Sequence, residues 1–143
     1  MAKPSTSDTD AFARELAQTG SRIEPVLEEL FPRDAGDFLC EAVWHHLRTG
    51  GKRIRPALCI LCCRELDGDP QRAVPFAAAV EILHNMLLVH DDLEDGDTVR
   101  RDAPTVWVEF GAPNAVNVGD YMLGRAYGAI LGSTVDESVR LRL

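Results

Sequence analysis

The feature that most constrains the fold of this chain is an apolar run that ends in a cluster of carboxylates. It reads EILHNMLLVHDDLEDGD over residues 81–97, and it indicates a core helix with an acidic end. In such a helix Asp91 and Asp95 lie at i and i+4 and project from one face, while Asp92 lies about 100° around the axis. Like charges at this spacing repel, and a cation that prefers oxygen ligands relieves the repulsion. Mg²⁺ is suited, because it takes one or two carboxylates and shares its other positions with waters and substrate phosphates.

The alternative interpretation of this stretch is a solvated acidic helix end. The four residues at 86–89 read MLLV, which is typical of a core. Carboxylates at the end of a buried helix usually line a cleft. The sequence therefore predicts that Asp91 and Asp95 hold a metal ion.

The composition narrows the possible functions. A chain of 143 residues forms at most one domain, and a hydrophobic content of 45% is enough for a core. The net charge of −8 argues for a soluble protein and against a nucleic-acid-binding surface. The apolar runs look too short to span a membrane, and the polar start MAKPSTSDTD lacks the apolar segment of a secretory signal. We therefore expect a cytoplasmic protein.

Helical periodicity and helix-breaking residues predict an all-α fold, an antiparallel bundle joined by short loops. Residues 1–7 should be disordered, and 8–143 should form one helical domain. The predicted helices begin and end near these positions: 8–30, 38–50 with Asp34 or Asp37 as the cap, 52–66, 70–94, 104–110 and 115–130. Residues 111–114 are expected to form a turn, and 133–143 to begin or continue a further helix. No β-type alternation of useful length is present.

A second motif, GGKRIRP at 50–56, predicts a phosphate site. Two glycines allow a ligand to approach the backbone closely, and the helix that follows offers free N–H groups to an anion. Lys52 and Arg55 are three residues apart and would share a helix face. Arginine can bind a phosphate bidentately, and lysine acts as a compact charge. The alternative is a helix C-cap followed by solvated basic residues, which is equally favoured until the motif is paired with the aspartates.

The histidine in EILH is the third candidate. Positions 84, 88, 91 and 95 share one helix face, which places His84 about 10 Å from Asp91. This spacing suits two neighbouring diphosphates, one on the metal and one beside the histidine. The alternative is a core histidine that is hydrogen-bonded to Glu81 or to the backbone. His90 points off this face and is expected to be structural or to support the neighbouring ligand residues.

Two arginines, Arg100 and Arg101, follow the acidic cluster. They can neutralise the aspartates, or they can bind phosphate oxygens that the metal does not reach. Both interpretations remain open at this point.

Together these motifs resemble the trans-isoprenyl diphosphate synthases, also called polyprenyl synthetases. The matching segments occur in the family's order and spacing: GGKRIRP at 50–56, EILH at 81–84, HDDLED at 90–95, RRDAPT at 100–105 and GD at 119–120. A DDxxD motif alone also occurs in terpene cyclases, whereas the combination is specific. A class I terpene cyclase would leave GGKRIRP and His84 unexplained. A phosphohydrolase built on His90 and Asp91 would leave the basic motif unexplained.

The resemblance implies an isoprenoid-synthase helical bundle with its site in a central cavity. It implies that Asp91 and Asp95 hold an allylic diphosphate through Mg²⁺, with Asp92 in support and Arg100 on the same diphosphate. It also implies four residues that bind isopentenyl diphosphate: Lys52, Arg55, His84 and Arg101. The implied reaction ionises the allylic C–O bond, adds the isopentenyl double bond to the cation and then releases a proton.

Two departures from the family pattern bear on this expectation. Asp102 stands where the family usually has glycine. Family members also carry a second aspartate-rich motif in a second half that this sequence does not contain. We therefore expect the N-terminal half of a synthase, incomplete as a catalyst alone, which forms a homodimer or is complemented by a C-terminal half. The competing hypothesis is a non-catalytic or split-enzyme subunit that modulates another prenyl synthase.

The resemblance also implies a product length. In the family, bulky aromatic residues at the fourth or fifth position before DDxxD hold products short. Those positions are Leu87 and Met86 here, and neither is aromatic. We expect a product beyond farnesyl, geranylgeranyl or longer.

Overall fold

The computed structural model describes residues 6–34 and 36–140. Within them the chain forms an α-helical bundle with one very short hairpin. The elements are α1 (Thr6–Leu30), α2 (Phe38–Leu47), α3 (Ile54–Glu65), α4 (Pro70–Asp95), β1 (Val99–Arg100), β2 (Ala103–Pro104), α5 (Val106–Phe110), α6 (Ala112–Leu131) and α7 (Glu137–Arg140). The all-α prediction is confirmed, and the hairpin is an element that the sequence pattern did not predict.

Helix α4 is the centre of the bundle. It packs mainly against α6 and α3, and α1 contacts it as well. Its buried side chains include Ile82 and Val89, which join Val118 and Met122 of α6 in one continuous core. By length and composition α4 also meets the criteria for a membrane-crossing helix, with a mean hydropathy of 1.4, which the sequence reading did not anticipate. Because 56% of that stretch is buried within the bundle, helix packing accounts for its apolar character.

Local capping sets the ends of the helices that carry the site. Of the two candidate caps for α2, Asp37 is the one used, and its carboxylate accepts from the Leu39 N–H at 2.9 Å. Asp69 caps α4 in the same way through the Gln71 N–H at 2.9 Å. Gly96 ends α4 with a φ of 73°, a left-handed conformation that glycine adopts without strain.

Several predicted boundaries differ from the structure. Helix α2 ends at Leu47 rather than at 50, and α5 begins at Val106 because Pro104 belongs to β2. Helix α1 begins at Thr6, so Thr6 and Ser7 are helical although disorder was predicted for them. The rest of the segment predicted to be disordered, residues 1–5, lies outside the described part of the chain. Helix α3 begins at Ile54 rather than at Lys52. The expected turn at 111–114 is already helical from Ala112 onward, because a proline is well tolerated in a first helical turn.

The hairpin arises from a two-residue turn. Arg101 and Asp102 have φ angles of 50° and 65°, and Arg100 pairs with Ala103 across the ladder. Positive φ at both central residues is the requirement of a type I′ hairpin turn. Asp102, where the family usually has glycine, is one of the residues that tolerates this conformation.

Candidate functional site

The three aspartates at the end of α4 face two different environments. Asp91 and Asp95 are exposed on the open side of the helix, as their i,i+4 spacing predicts. Asp92 is only 1% exposed. The cluster therefore offers two carboxylates to a ligand and keeps one inside the protein.

Asp92 forms a buried ion pair with Arg100 of β1. The Arg100 Nε and Nη2 atoms both donate to Oδ1 of Asp92, at 2.6 and 2.5 Å. The hydrogen bond to Asp92 is the main reason that the pKa of Arg100 is raised. Oδ2 of Asp92 is buried and has no hydrogen-bond partner among the described residues. Arg100 thus neutralises Asp92, the buried member of the cluster, and leaves the charges of Asp91 and Asp95 unpaired by it.

The basic loop, residues 50–55, joins α2 to α3 through an unusual backbone. Gly50 and Gly51 have φ angles of 86° and 150°, and Arg53 has a φ of 50°. Because α3 begins only at Ile54, Lys52 lies in coil, and the expectation that Lys52 and Arg55 share a helix face is wrong. Both side chains are exposed and remain available to a ligand.

The hairpin turn lies directly over the basic loop. A Cβ atom added at Gly51 would lie 3.1 Å from Nη1 of Arg101 and 3.3 Å from Nη2. Only a residue without a side chain leaves that space to the guanidinium. This contact brings the second arginine of the pair to the loop, although the two segments are far apart in sequence.

The charges around His84 are mostly positive. Burial lowers the pKa of His84, and the charge of Arg55 lowers it further; Glu81 raises it in part, and Arg101 and Arg100 have smaller lowering effects. The pKa of Arg101 is also lowered, first by burial and then by Arg100 and Arg53. Cations that crowd one another in this way favour an anion between them.

Four residues from separate segments form a buried polar chain beneath the basic loop. Arg53 donates to Oε1 of Glu81, and Asn85 donates to the same atom at 2.9 Å. Oδ1 of Asn85 lies 3.1 Å from Nε2 of His46 on α2. Sequence reasoning assigned none of these four a role in the site. The signal was present, because Glu81 and Asn85 are polar residues at i,i+4 within an otherwise apolar run.

The polyprenyl synthetase family model matches residues 37–141, which includes every segment of this site. This chain belongs to the polyprenyl synthetase family.

Three relatives illustrate the similarity. A geranylgeranyl diphosphate synthase from Saccharolobus solfataricus is 48% identical over 90 residues, which cover 63% of this chain and 27% of that protein. A geranylgeranyl pyrophosphate synthetase structure from Pyrococcus horikoshii matches with a TM-score of 0.87 and 34% identity, over 95% of this chain and 41% of that one. A polyprenyl synthase from Caulobacter crescentus, solved with calcium and isoprenyl diphosphate, matches with a TM-score of 0.81 and 25% identity, over 93% and 40%. The chain thus spans about two fifths of the length of these solved relatives.

The GD segment at 119–120 packs against the acidic end of α4. A Cβ atom at Gly119 of α6 would overlap the imidazole ring of His90. The same ring places Nε2 3.4 Å from the Val116 carbonyl oxygen. His90 is therefore a packing residue, as expected, and it positions the helix turn that carries Asp91.

Proposed function

We propose that this chain provides diphosphate- and metal-binding residues of a trans-prenyltransferase. The proposed reaction condenses isopentenyl diphosphate with an allylic diphosphate into a longer polyprenyl diphosphate. The observation that carries the proposal is the pairing of an exposed carboxylate pair, Asp91 and Asp95, with a crowded set of cations around His84. Helix geometry separates the two regions by about 10 Å, which leaves room for two diphosphates side by side.

Asp91 and Asp95 are the residues that would hold Mg²⁺. Among the described residues, no three His, Cys, Asp or Glu side chains converge into a closed metal cage. Two exposed carboxylates nevertheless fit Mg²⁺, because this ion usually binds one or two of them and takes its other ligands from waters and phosphates. Bound there, Mg²⁺ would stabilise the negative charge that develops on the leaving diphosphate. The Caulobacter crescentus relative was solved with calcium and isoprenyl diphosphate, so a divalent cation and a diphosphate are ligands of a related protein.

The cations have two proposed tasks. Lys52, Arg55 and Arg101 bind the diphosphate of isopentenyl diphosphate, and the imidazole of His84 adds a hydrogen bond to it. Together they hold the double bond of this substrate towards the allylic carbon. Arg100, held in place by Asp92, presents its remaining N–H groups to the allylic diphosphate, where negative charge grows as the C–O bond breaks. In the complete enzyme, apolar side chains on this side of α4 such as Leu87 would help to exclude water, which would otherwise capture the carbocation.

The product is proposed to be geranylgeranyl diphosphate or longer. Of the two positions that precede the acidic cluster, Leu87 is 53% exposed on the open side of α4, whereas Met86 is 9% exposed and lies in the core. An allylic tail that runs back along α4 would therefore meet Leu87. In the complete enzyme, Leu87→Phe should shorten the product because an aromatic ring is stiffer and fills more volume. Equal product lengths for Leu87→Phe and wild type would exclude Leu87 as the floor of the cavity.

The assembly is also part of the proposal. We propose a cytoplasmic homodimer, or a complex in which a C-terminal half supplies the remaining metal-binding residues. Exposed apolar side chains such as Tyr127 on α6 support association. Light scattering should show a dimer or larger species. A stable monomer that melts cooperatively would contradict this part.

Calorimetry on the chain tests the proposed function. We expect Asp91→Ala to weaken Mg²⁺-dependent binding of a non-reactive allylic diphosphate analogue at least about tenfold, or 1.4 kcal/mol, and to spare isopentenyl diphosphate. Arg55→Ala should weaken the binding of isopentenyl diphosphate and spare the allylic diphosphate analogue. Wild-type protein that binds neither ligand would overturn the proposal. Binding of both ligands without turnover in the assembled enzyme would favour the non-catalytic partner subunit instead.

A further inference from the structure

The buried polar chain beneath the basic loop links three parts of the fold. His46 comes from α2, Arg53 from the basic loop, and Glu81 and Asn85 from α4. His46, Asn85 and Glu81 are all nearly inaccessible to solvent. Their hydrogen bonds follow one another without interruption from Nε2 of His46 to the guanidinium of Arg53.

The direction of each hydrogen bond follows from the chemistry of the groups. The Asn85 amide N–H₂ donates to the Glu81 carbonyl oxygen at 2.8 Å and to its carboxylate at 2.9 Å. The other end of the Asn85 amide is then an acceptor, so His46 donates from Nε2. Burial, followed by the charge of Arg101, lowers the pKa of His46 to about 4. His46 is therefore neutral and protonated on Nε2 at physiological pH.

The chain of hydrogen bonds ends at Arg53, where the backbone of the basic loop is least regular. Arg53 sits at the N-cap of α3 with a φ of 50°, a left-handed conformation that costs a non-glycine residue about 1 kcal/mol or more. Its side chain cannot cap the helix and instead reaches back to Glu81. The ion pair thus fixes the residue that lies between the two exposed cations of the loop, Lys52 and Arg55.

We infer that His46, Asn85 and Glu81 are positioning residues, which hold the basic loop through Arg53 so that its neighbours meet a diphosphate. Arg53 is already paired with a buried carboxylate, so its charge is neutralised before a ligand arrives. Its role is to fix the loop, while Lys52, Arg55 and Arg101 carry the charge that the anion meets. This inference rests on the proposed function, since it concerns the same diphosphate site.

The test compares Asn85→Leu with Asn114→Leu. Both substitutions keep the branched shape of the side chain and remove an asparagine that donates to a backbone carbonyl four residues earlier. Only Asn85 also connects to Glu81 and His46. Asn85→Leu should weaken binding of inorganic pyrophosphate and of isopentenyl diphosphate about tenfold, as loss of an outer supporting contact does at other sites. It should change Mg²⁺-dependent binding of the allylic analogue less than about twofold.

The inference would be overturned if Asn85→Leu weakened the binding of isopentenyl diphosphate and of the allylic analogue equally. It would also be overturned if Asn85→Leu left the affinity for pyrophosphate unchanged. Wild-type protein that binds no diphosphate would instead contradict the proposed function, so the two failures are distinguishable. If Asn85→Leu does not fold, Arg53→Met provides the same test at a more exposed residue, and Glu81→Gln provides it with a substitution of the same shape. Glu81→Gln keeps the acceptor oxygen and should lose less affinity than Arg53→Met. A greater loss of affinity in Glu81→Gln than in Arg53→Met would contradict the proposal that Glu81 acts on the loop through Arg53.

Discussion

The acidic end of α4 and the basic loop carry opposite charges and are built in different ways. Asp91 and Asp95 lie on regular helix, so their relative placement follows from the helical repeat. The loop that carries Lys52 and Arg55 has three residues with positive φ and depends on contacts from α2, α4 and the hairpin. A ligand site on a helix is therefore specified locally, whereas a ligand site on a loop requires support from residues distant in sequence.

The arginines of the two regions also differ in their surroundings. Arg100 is paired with a buried carboxylate at the acidic end. Arg55 is exposed, and its charge adds to the effect of burial, which is the main reason that the pKa of His84 is lowered. The acidic end therefore holds its arginine in an ion pair, whereas the basic loop leaves Arg55 exposed. Four substitutions, each with a matched control, can break or sharpen this contrast.

The largest effect is expected for Arg100→Met compared with Arg55→Met. Arg100→Met leaves Asp92 as a buried, unpaired carboxylate and should lower the free energy of unfolding by about 3 kcal/mol. Arg55→Met removes an exposed cation and should change it by less than about 0.5 kcal/mol. Urea unfolding of both variants measures the difference. Similar losses in the two proteins would remove the distinction between the regions.

The next largest effect is expected on the pH dependence of stability, through His46, which supports the basic loop. His46 has a folded-state pKa of about 4, below its unfolded value of 6.5, so the unfolded chain binds the extra proton between these values. Its contribution to stability is complete above pH 6.5 and is lost as the pH falls towards 4. His46→Gln should remove about 2 kcal/mol of the stability change between pH 6.5 and 5, measured by urea unfolding.

His45→Gln serves as the control for that measurement. The neighbouring imidazole is only half-buried and bonds the Pro104 carbonyl oxygen at 2.8 Å. Its removal should leave the pH dependence close to that of wild type. Equal flattening of the pH dependence in both variants would show that burial of His46 is not the cause.

A smaller effect is expected where α6 packs behind the acidic end. In Gly119→Ala the new methyl group overlaps the His90 ring, and overpacking of this kind costs about 2 kcal/mol. Gly124→Ala on the same helix meets nothing within 4 Å and should gain up to about 1 kcal/mol from helix propensity. Thermal unfolding should shift in opposite directions. A stabilised Gly119→Ala would mean that His90 moves aside freely.

The smallest effect on stability is expected in the basic loop, at Gly51→Ala and Gly50→Ala. Both positions have positive φ, so each substitution should cost about 1 kcal/mol. Only Gly51→Ala also meets the Arg101 guanidinium. It should therefore weaken pyrophosphate binding more than Gly50→Ala does, as calorimetry can measure. Equal affinities for pyrophosphate would show that the contact between the hairpin and the loop has no role in anion binding.

By itself the sequence determined the helical class, the α4 boundaries within a residue or two and the shared face of Asp91 and Asp95. These features depend on periodicity, on capping residues such as Asp69 and on the fixed spacing of a helix. The resemblance carried by the five segments also led to the correct family.

Only the tertiary structure decided which charges are buried and paired. Helix geometry places Asp92 about 100° from Asp91, but the position of the neighbouring helices and the hairpin determines that this side is the inside. The pairing of Arg53 with Glu81 and the approach of Arg101 to Gly51 depend in the same way on segments that are distant in sequence. Local pattern carries no information about such distant partners, because they come together only when the bundle packs.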